Sequence, residues 1–233
     1  MKKISLIFSL SFLSFLLILN CGDSNRSMPA GAPIEVVGID TSGNGQKDAF
    51  GYMLRSKGNT RIVYQELDKD GDRRSDEFIW VGSTSRRAKG APLQEAVKVY
   101  EESDENNDGT IDTIRWFLPN EYISLILKDT DNDGYFETTQ YYNYQKKPVR
   151  TEIDTNQDGL ADIFIWSSRA EIDTDFDKTP DLIVFGTSKL ELEEKAVNRK
   201  ETKPLNKATS YFLNPKLIPF EERSIIGSGL FVE

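Results

Sequence analysis

A nine-residue pattern occurs six times in this chain, with an oxygen-bearing residue at positions 1, 3, 5 and 9 and usually Gly at position 6. Loop 1 is DTSGNGQKD (Asp40, Ser42, Asn44, Asp48), loop 2 DKDGDRRSD (Asp68, Asp70, Asp72, Asp76) and loop 3 DENNDGTID (Asp104, Asn106, Asp108, Asp112). Loop 4 is DTDNDGYFE (Asp129, Asp131, Asp133, Glu137), loop 5 DTNQDGLAD (Asp154, Asn156, Asp158, Asp162) and loop 6 DTDFDKTPD (Asp173, Asp175, Asp177, Asp181). Acidic residues fill 38 of 233 positions, so chance supplies about one match to so loose a pattern. Six matches mark an internal repeat, and the repeat sets the fold.

The spacing is that of a hard cation's ligands. Calcium takes about six to eight oxygens, and a chain curling around it presents alternate side chains, so ligands fall at positions 1, 3 and 5. Position 6 turns sharply with positive φ, which favours Gly; the carbonyl at position 7 then points inward, and the acid at position 9 closes the shell. An EF-hand closes instead with a bidentate Glu at position 12 and carries flanking helices. Here position 12 is Gly51, Ile79, Arg115, Gln140, Ile165 or Val184, none of which closes a site. The residues after each loop (FGYML, FIWVG, TIRWF, TTQYY, IFIWS, LIVFG) are rich in β-branched and aromatic types and read as strands. These are loops between strands.

Loops 3, 4 and 5 keep both the ligands and the turn Gly. Loops 2 and 6 bring four carboxylates each but place Arg73 and Lys178 at position 6, and loop 1 brings only two carboxylates, so it is the weakest site and a plain polar turn is its alternative. Twenty of the 38 acidic residues occupy ligand positions. Such clustering is costly unless cations neutralise it.

The core D-x-N-x-D-G-x-x-D followed by an apolar strand, best seen in Asp154 to Ile165 (DTNQDGLADIFI) and in DLIVFG from Asp181, resembles the calcium loops of FG-GAP and VCBS-type repeats of integrin-α-like propellers and secreted bacterial proteins. The resemblance covers residues 40–186 and implies several bound Ca2+ ions. Those families place one loop in each blade of about 60 residues, whereas starts here differ by 28, 36, 25, 25 and 19. A 25-residue period instead holds nine loop residues, two strands and a short return turn such as Gly58-Asn59 or Tyr144 to Pro148.

The expected fold is therefore all-β: an antiparallel meander of about 12 strands between Ile34 and Thr187, curled or barrel-like, with every calcium loop along one edge. A small β-propeller-like domain is the alternative. Four residues after each closing acid stands an aromatic (Tyr52, Trp80, Trp116, Tyr141, Trp166, Phe185), and two after it Phe50, Phe78, Ile114, Thr139, Phe164 or Ile183. Alternate strand residues share a face, so these twelve are expected to form the core face; an aromatic platform for sugars or bases is the alternative reading. Beyond residue 187, the extension 188–233 opens with KLELEEKAVNRK (Lys189 to Lys200), suited to a short helix. Its later apolar residues (Phe212, Leu213, Leu217, Ile218, Phe220, Ile225 to Val232) suit packing on the sheet.

Met1-Lys2-Lys3 and the apolar run Ile4 to Leu19 read as a signal-peptide core over residues 1–20, the run being too short to span a bilayer comfortably. It ends Leu17-Ile18-Leu19-Asn20-Cys21-Gly22, which resembles the lipobox of bacterial lipoproteins, although Asn20 stands where a small residue is usual. That resemblance implies lipidation at Cys21, a membrane as partner, and a place in the cell envelope, on the outer membrane or cell surface. Residues 21–33 form a tether, and residues 34–187 the calcium-loop domain. Cys21 is the only cysteine, so no disulfide staples the domain.

Composition narrows the function. The chain carries 29 basic residues against its 38 acidic ones and a net charge of -9, which argues against nucleic acid as a partner. Histidine is absent, removing the commonest general base and most zinc ligand sets. The expected function is a non-catalytic, calcium-stiffened envelope lipoprotein that serves structure or adhesion to a host, matrix or envelope protein or a glycan. The alternative is an exported hydrolase acting on glycans through paired carboxylates.

Overall fold

The structure, a computed structural model, describes residues 34–56, 59–83, 96–118 and 121–226. The signal segment, Cys21, the tether, Gly58 and the tail beyond Ile226 lie outside the described residues.

Thirteen strands form one antiparallel sheet in chain order. They are β1 (Ile34–Ile39), β2 (Ala49–Ser56), β3 (Asn59–Leu67), β4 (Glu77–Ser83), β5 (Ala96–Ser103), β6 (Thr113–Phe117) and β7 (Ile123–Lys128). Then follow β8 (Thr138–Tyr142), β9 (Pro148–Ile153), β10 (Ile163–Ile165), β11 (Arg169–Ile172), β12 (Leu182–Phe185) and, after helix α1 (Lys189–Val197), β13 (Lys203–Pro204). Twelve strands thus fall between Ile34 and Thr187, in the meander that the hairpin period predicts. The sheet is continuous, so it is not a set of propeller blades. Nor does it close into a barrel: β1 pairs with β2 alone and β13 with β12 alone. The two-residue β13 ends in Pro204, which has no N–H to extend the ladder.

Because the register is regular, residues line up in rows across the strands. One row runs Tyr52, Tyr64, Trp80, Tyr100, Trp116, Leu125, Tyr141 and Arg150. Its first five rings stack in a ladder with centroids 4.9–5.1 Å apart and planes tilted by 52–69°, and Arg150 lies 4.1 Å from the Tyr141 ring centroid. Register shifts follow Tyr52, Trp80, Trp116 and Tyr141, so the aromatic of each of the first four hairpins is followed by a bulge, a device that increases twist. The neighbouring row on the same face alternates Phe50, Glu66, Phe78 and Glu102, then continues through Ile114, Leu127, Thr139, Glu152, Phe164, Glu171 and Ile183. Tyr52, Tyr100 and Tyr141 donate their hydroxyls to Glu66, Glu102 and Glu152 in it.

The twelve residues expected to form the core face do share a face, yet the larger apolar cluster lies on the other one. It joins Ile153, Ile163, Ile165, Ala170, Ile172 and Val184 to Leu192 and Ala196 of α1. On the aromatic face Phe164 and Trp166 pack against Ile218 of the tail, while the rings from Tyr52 to Trp116 are only half-buried and Phe185 is exposed. Which face is covered depends on where the chain after residue 187 returns, and that return is non-local.

Helix α1 starts where Ser188 accepts the N–H of Glu191 at 3.2 Å and the Glu191 carboxylate accepts from Thr187 N–H and hydroxyl, a capping arrangement. The tail that follows is clasped by Glu171, which is fully buried. Its carboxylate accepts from the Ser210 hydroxyl (2.6 Å), from the N–H groups of Tyr211 (2.7 Å) and Phe212 (3.2 Å), and from Arg169 (3.2 Å). Among the described residues no helix is long and apolar enough to cross a membrane.

Candidate metal centre

All six loops connect an odd-numbered strand to the next even one, which puts them along one edge of the meander. The backbone joins them into a series. The carbonyl of each closing acid accepts the N–H of the next loop's first Asp: Asp48 from Asp68, Asp76 from Asp104, Asp112 from Asp129, Glu137 from Asp154 and Asp162 from Asp173, at 2.7–2.9 Å.

Within each loop the wiring repeats. The position 1 carboxylate accepts the position 6 N–H, as in Gly109 to Asp104 (2.7 Å), Gly134 to Asp129 (2.8 Å), Gly159 to Asp154 (2.8 Å) and Lys178 to Asp173 (2.7 Å). The position 5 side chain accepts the position 7 N–H in all six loops. The closing acid accepts the position 2 N–H, as in Lys69 to Asp76 and Thr155 to Asp162. These bonds fix the carboxylates against the backbone of their own loops.

Position 6 has positive φ in every loop, including Arg73 (76°) and Lys178 (73°), where a side chain costs about 1–2 kcal/mol. Position 4 does so as well: Gly43, Gly71, Asn107, Asn132, Gln157 and Phe176 lie at 59–83°. Sequence reasoning missed position 4, although Gly and Asn in four of six loops were a legible sign of left-handed backbone. It also missed position 2, where Thr41, Thr130, Thr155 and Thr174 donate their hydroxyls to the closing acids.

The carboxylates converge most in the loops with four of them. One oxygen each from Asp68, Asp70 and Asp76 lie within 4.8 Å of one another, as do those of Asp129, Asp131 and Glu137, and of Asp173, Asp175 and Asp177. Asp72, Asp133 and Asp181 stand outside these groups. In loops 3 and 5, Asn106 and Asn156 supply amide oxygens that accept the N–H groups of Asp108 and Asp158. Loop 1 has Ser42 and Asn44 between Asp40 and Asp48, and the backbone N–H groups of Thr41 and Ser42 with their hydroxyls hold the Asp48 carboxyl well below its usual range.

Two unit charges about 4 Å apart repel by about 4 kcal/mol at an effective dielectric near 20 and by about 1 kcal/mol in bulk water. Exposed members such as Asp70, Asp131 and Asp175 sit near the lower figure, whereas Asp76, Asp129 and Asp173 are buried. Burial pushes the Asp76 carboxyl up, its neighbours Asp70 and Asp68 adding to the rise against the pull of the Lys69 and Asp70 N–H groups. For Asp154, burial is outweighed by the Tyr135 hydroxyl and the N–H groups of Gly159, Gln157 and Asn156, and the carboxyl is held low.

Asp173 is 3% exposed and its Oδ1 atom is buried with no hydrogen-bond partner. A buried, unpaired carboxylate oxygen beside Asp175 and Asp177 is out of balance as it stands. An oxygen-seeking cation corrects it, so the donor set fits calcium.

Neighbouring loops touch through side chains. Arg73 donates to Gln46 (3.2 Å), Asn106 to Asn132 (3.0 Å) and Gln157 to Asp133 (2.6 Å), and the Tyr135 hydroxyl donates to Asp154.

No family model matches the chain, and no curated protein does. Among solved structures the chain aligns with one entitled "Crystal structure of GtfA/B complex bound to UDP and GlcNAc", at TM-score 0.31 and 11% identity, over 74% of this chain and 28% of that one. The chain spans under a third of that protein's length, and a likeness so remote carries no argument.

Proposed function

We propose that this protein is a calcium-binding, lipid-anchored module of the cell envelope that acts without catalysis, its edge loops holding several Ca2+ ions that stiffen the sheet for structure or adhesion. The observation that carries the reading is the buried, unpaired Asp173 Oδ1 within a three-carboxylate loop. The same loop wiring recurs along the edge, and oxygen is the donor throughout, which suits calcium over softer metals. Anchorage at Cys21 rests on the residues before it. Host, matrix or envelope proteins and glycans are the partner classes that such a surface serves.

Calcium stoichiometry tests the central claim. Equilibrium dialysis against millimolar calcium is expected to give more than one ion per chain, and Asp173→Asn with Asp175→Asn is expected to remove one of them. A chain that takes up no calcium at millimolar concentration sinks the proposal. Detergent phase separation tests the anchor: Cys21→Ser is expected to move the protein to the aqueous phase.

A further inference from the structure

A cavity of about 300 Å³ lies between loops 5 and 6. Its acidic lining comes from Glu152, Asp158, Asp162 and Asp173, and its walls are Phe164, Phe176 and Phe212. The buried Asp173, whose Oδ1 has no partner, stands on its surface. A second cavity, about 170 Å³ between loops 1 and 2, offers a comparison within the molecule: it is lined by Ser42, Asn44, Gln46, Asp48, Asp68 and other polar residues, with no aromatic side chain. Of these two gaps between adjacent loops, the one at loop 6 carries aromatic rings and the one at loop 1 does not.

Loop 6 is also the loop whose closing acid is exposed. Asp181 shares the contact with position 2 that the other closing acids make, but it is exposed, whereas the closing acids of loops 1, 2, 3 and 5 are buried. Asp173, Asp175 and Asp177 supply three carboxylates, and calcium takes about six to eight oxygens. With Asp181 exposed and outside that group, the shell on its side is open to oxygens from outside the chain even when the position 7 carbonyl is counted. Phe176 sits at position 4, where the other loops carry Gly, Asn or Gln, and holds φ at 60° with its ring exposed. A bulky residue is a poor occupant of left-handed backbone, so its presence asks for a reason beyond the loop itself.

We propose that the cavity between loops 5 and 6 is a calcium-dependent site for a neutral saccharide, with vicinal hydroxyls of one sugar ring completing the shell of an ion at Asp173, Asp175 and Asp177 and its C–H face resting on Phe176 and Phe212. Charge selects the class. A free anion enters against Glu152, Asp158 and Asp162, and an organic cation is held off by the bound ion, whereas a neutral polyol meets neither obstacle. Aromatic rings supply the apolar contact, and exposed Lys178 and Asp158 on the lining supply a hydrogen-bond donor and an acceptor for further hydroxyls. The volume falls at the lower end of small-ligand sites, about 300–1,000 Å³, and suits one ring with part of a second.

This inference rests on the calcium reading, and the experiment separates the two. Full-length protein in mild detergent is titrated calorimetrically with methyl glycosides of glucose, galactose, mannose and fucose and with cellobiose and lactose, in calcium and again in chelator, with calcium uptake measured in parallel. At least one saccharide is expected to bind at millimolar concentration or better in calcium, with at least ten-fold loss in chelator. Phe176→Asn places at position 4 the residue that loops 3 and 4 use, so it is expected to keep the calcium count and the melting temperature while weakening the saccharide at least ten-fold. Failure of calcium uptake overturns the underlying reading. Calcium uptake without any saccharide binding, binding indifferent to chelator, or full binding by the Phe176→Asn variant overturns this inference alone.

Discussion

The strands β1–β8 and the strands β9–β12 belong to one sheet yet are held together differently. On the face opposite the aromatic ladder, one row reads Gln65, Ile79, Glu101, Arg115, Ile126, Gln140 and Thr151 before turning to Ile165, Ala170 and Val184. In the first part Arg115 and Lys98 converge on Glu101, whose carboxyl burial raises and these two cations lower, the net direction being down. In the second part the row is apolar and α1 lies on it, so that Ile165, Val184, Leu192 and Ala196 are almost fully buried. Bulges recur through the first part, after Tyr52, Trp80, Trp116 and Tyr141, and β10–β12 pair without a register shift. The difference teaches where each region's stability comes from. The C-terminal strands have a core shared with a helix and a tail; the N-terminal ones depend on contacts between neighbouring strands and on the loops at their edge.

The largest effect expected from this contrast is that of calcium removal. An ion bound only by the native state stabilises it by about 2.7 kcal/mol when its concentration is 100 times its dissociation constant, and several sites act together. Hydrogen exchange after chelation is expected to lose protection first in β1–β8 and last in β10–β12. Equal and simultaneous loss across both regions would show that the cores do not differ in the way described.

Next in size is Leu192→Ala. Leu192 is fully buried in the cluster under α1, and truncating such a residue costs about 2–5 kcal/mol. Ile114→Ala, in the half-buried row of the N-terminal strands, removes less newly exposed surface and is expected to cost about 1 kcal/mol. Urea denaturation of both variants in calcium checks the ratio, and a larger cost for Ile114→Ala would reverse the comparison.

Glu171→Gln tests the clasp on the tail. The carboxylate accepts four hydrogen bonds, and an amide in its place offers one oxygen while setting N–H groups against the Ser210 hydroxyl and the backbone donors. A loss of about 1.5–3 kcal/mol is expected, the range for hydrogen bonds to charged groups. Limited proteolysis is expected to cut between Leu205 and Ile226 before it touches β1–β8. A tail as protected as in the parent protein would place the clasp elsewhere.

Much of this contrast could not be read from the chain. The loops were legible because the spacing of Asp104, Asn106, Asp108 and Asp112 and its five counterparts is a local repeat that does not depend on how the sheet packs. The strands were legible for a similar reason, since alternation such as Phe50, Tyr52 or Phe164, Trp166 is local. The choice of core face was not. Rows such as Trp80–Tyr100–Trp116 carry large apolar side chains wherever the sheet runs, and only the return of residues 189–226 decides that Ile165 and Val184 are covered from the other side. Openness of the sheet was hidden too, because it turns on the two residues of β13 and on Pro204. In the loops, the left-handed backbone at position 4 was written in Gly43, Gly71, Asn107 and Asn132, whereas Gln157 and Phe176 disguised it.

The smallest effect expected is a gain, and it sets loop 6, beside the C-terminal core, against loop 2 in the N-terminal sheet. Lys178 and Arg73 occupy position 6 with φ of 73° and 76°, where the other four loops carry Gly. Replacing either with Gly removes the clash between Cβ and the following carbonyl, worth about 1–2 kcal/mol, but frees the unfolded chain, which takes back about 0.4–1 kcal/mol. The net expected gain is therefore about 0–1.6 kcal/mol for Lys178→Gly. Arg73 also donates Nε–H to Gln46 of loop 1 at 3.2 Å, an exposed contact that Gly cannot make. Arg73→Gly is thus expected to gain less than Lys178→Gly, and to loosen loop 1 in hydrogen exchange while Lys178→Gly leaves it unchanged. Thermal melts of both variants in saturating calcium decide the order. A destabilised Lys178→Gly would mean that its side chain does more for loop 6 than its backbone strain costs, and that the last loop is held by contacts its position in the repeat does not reveal.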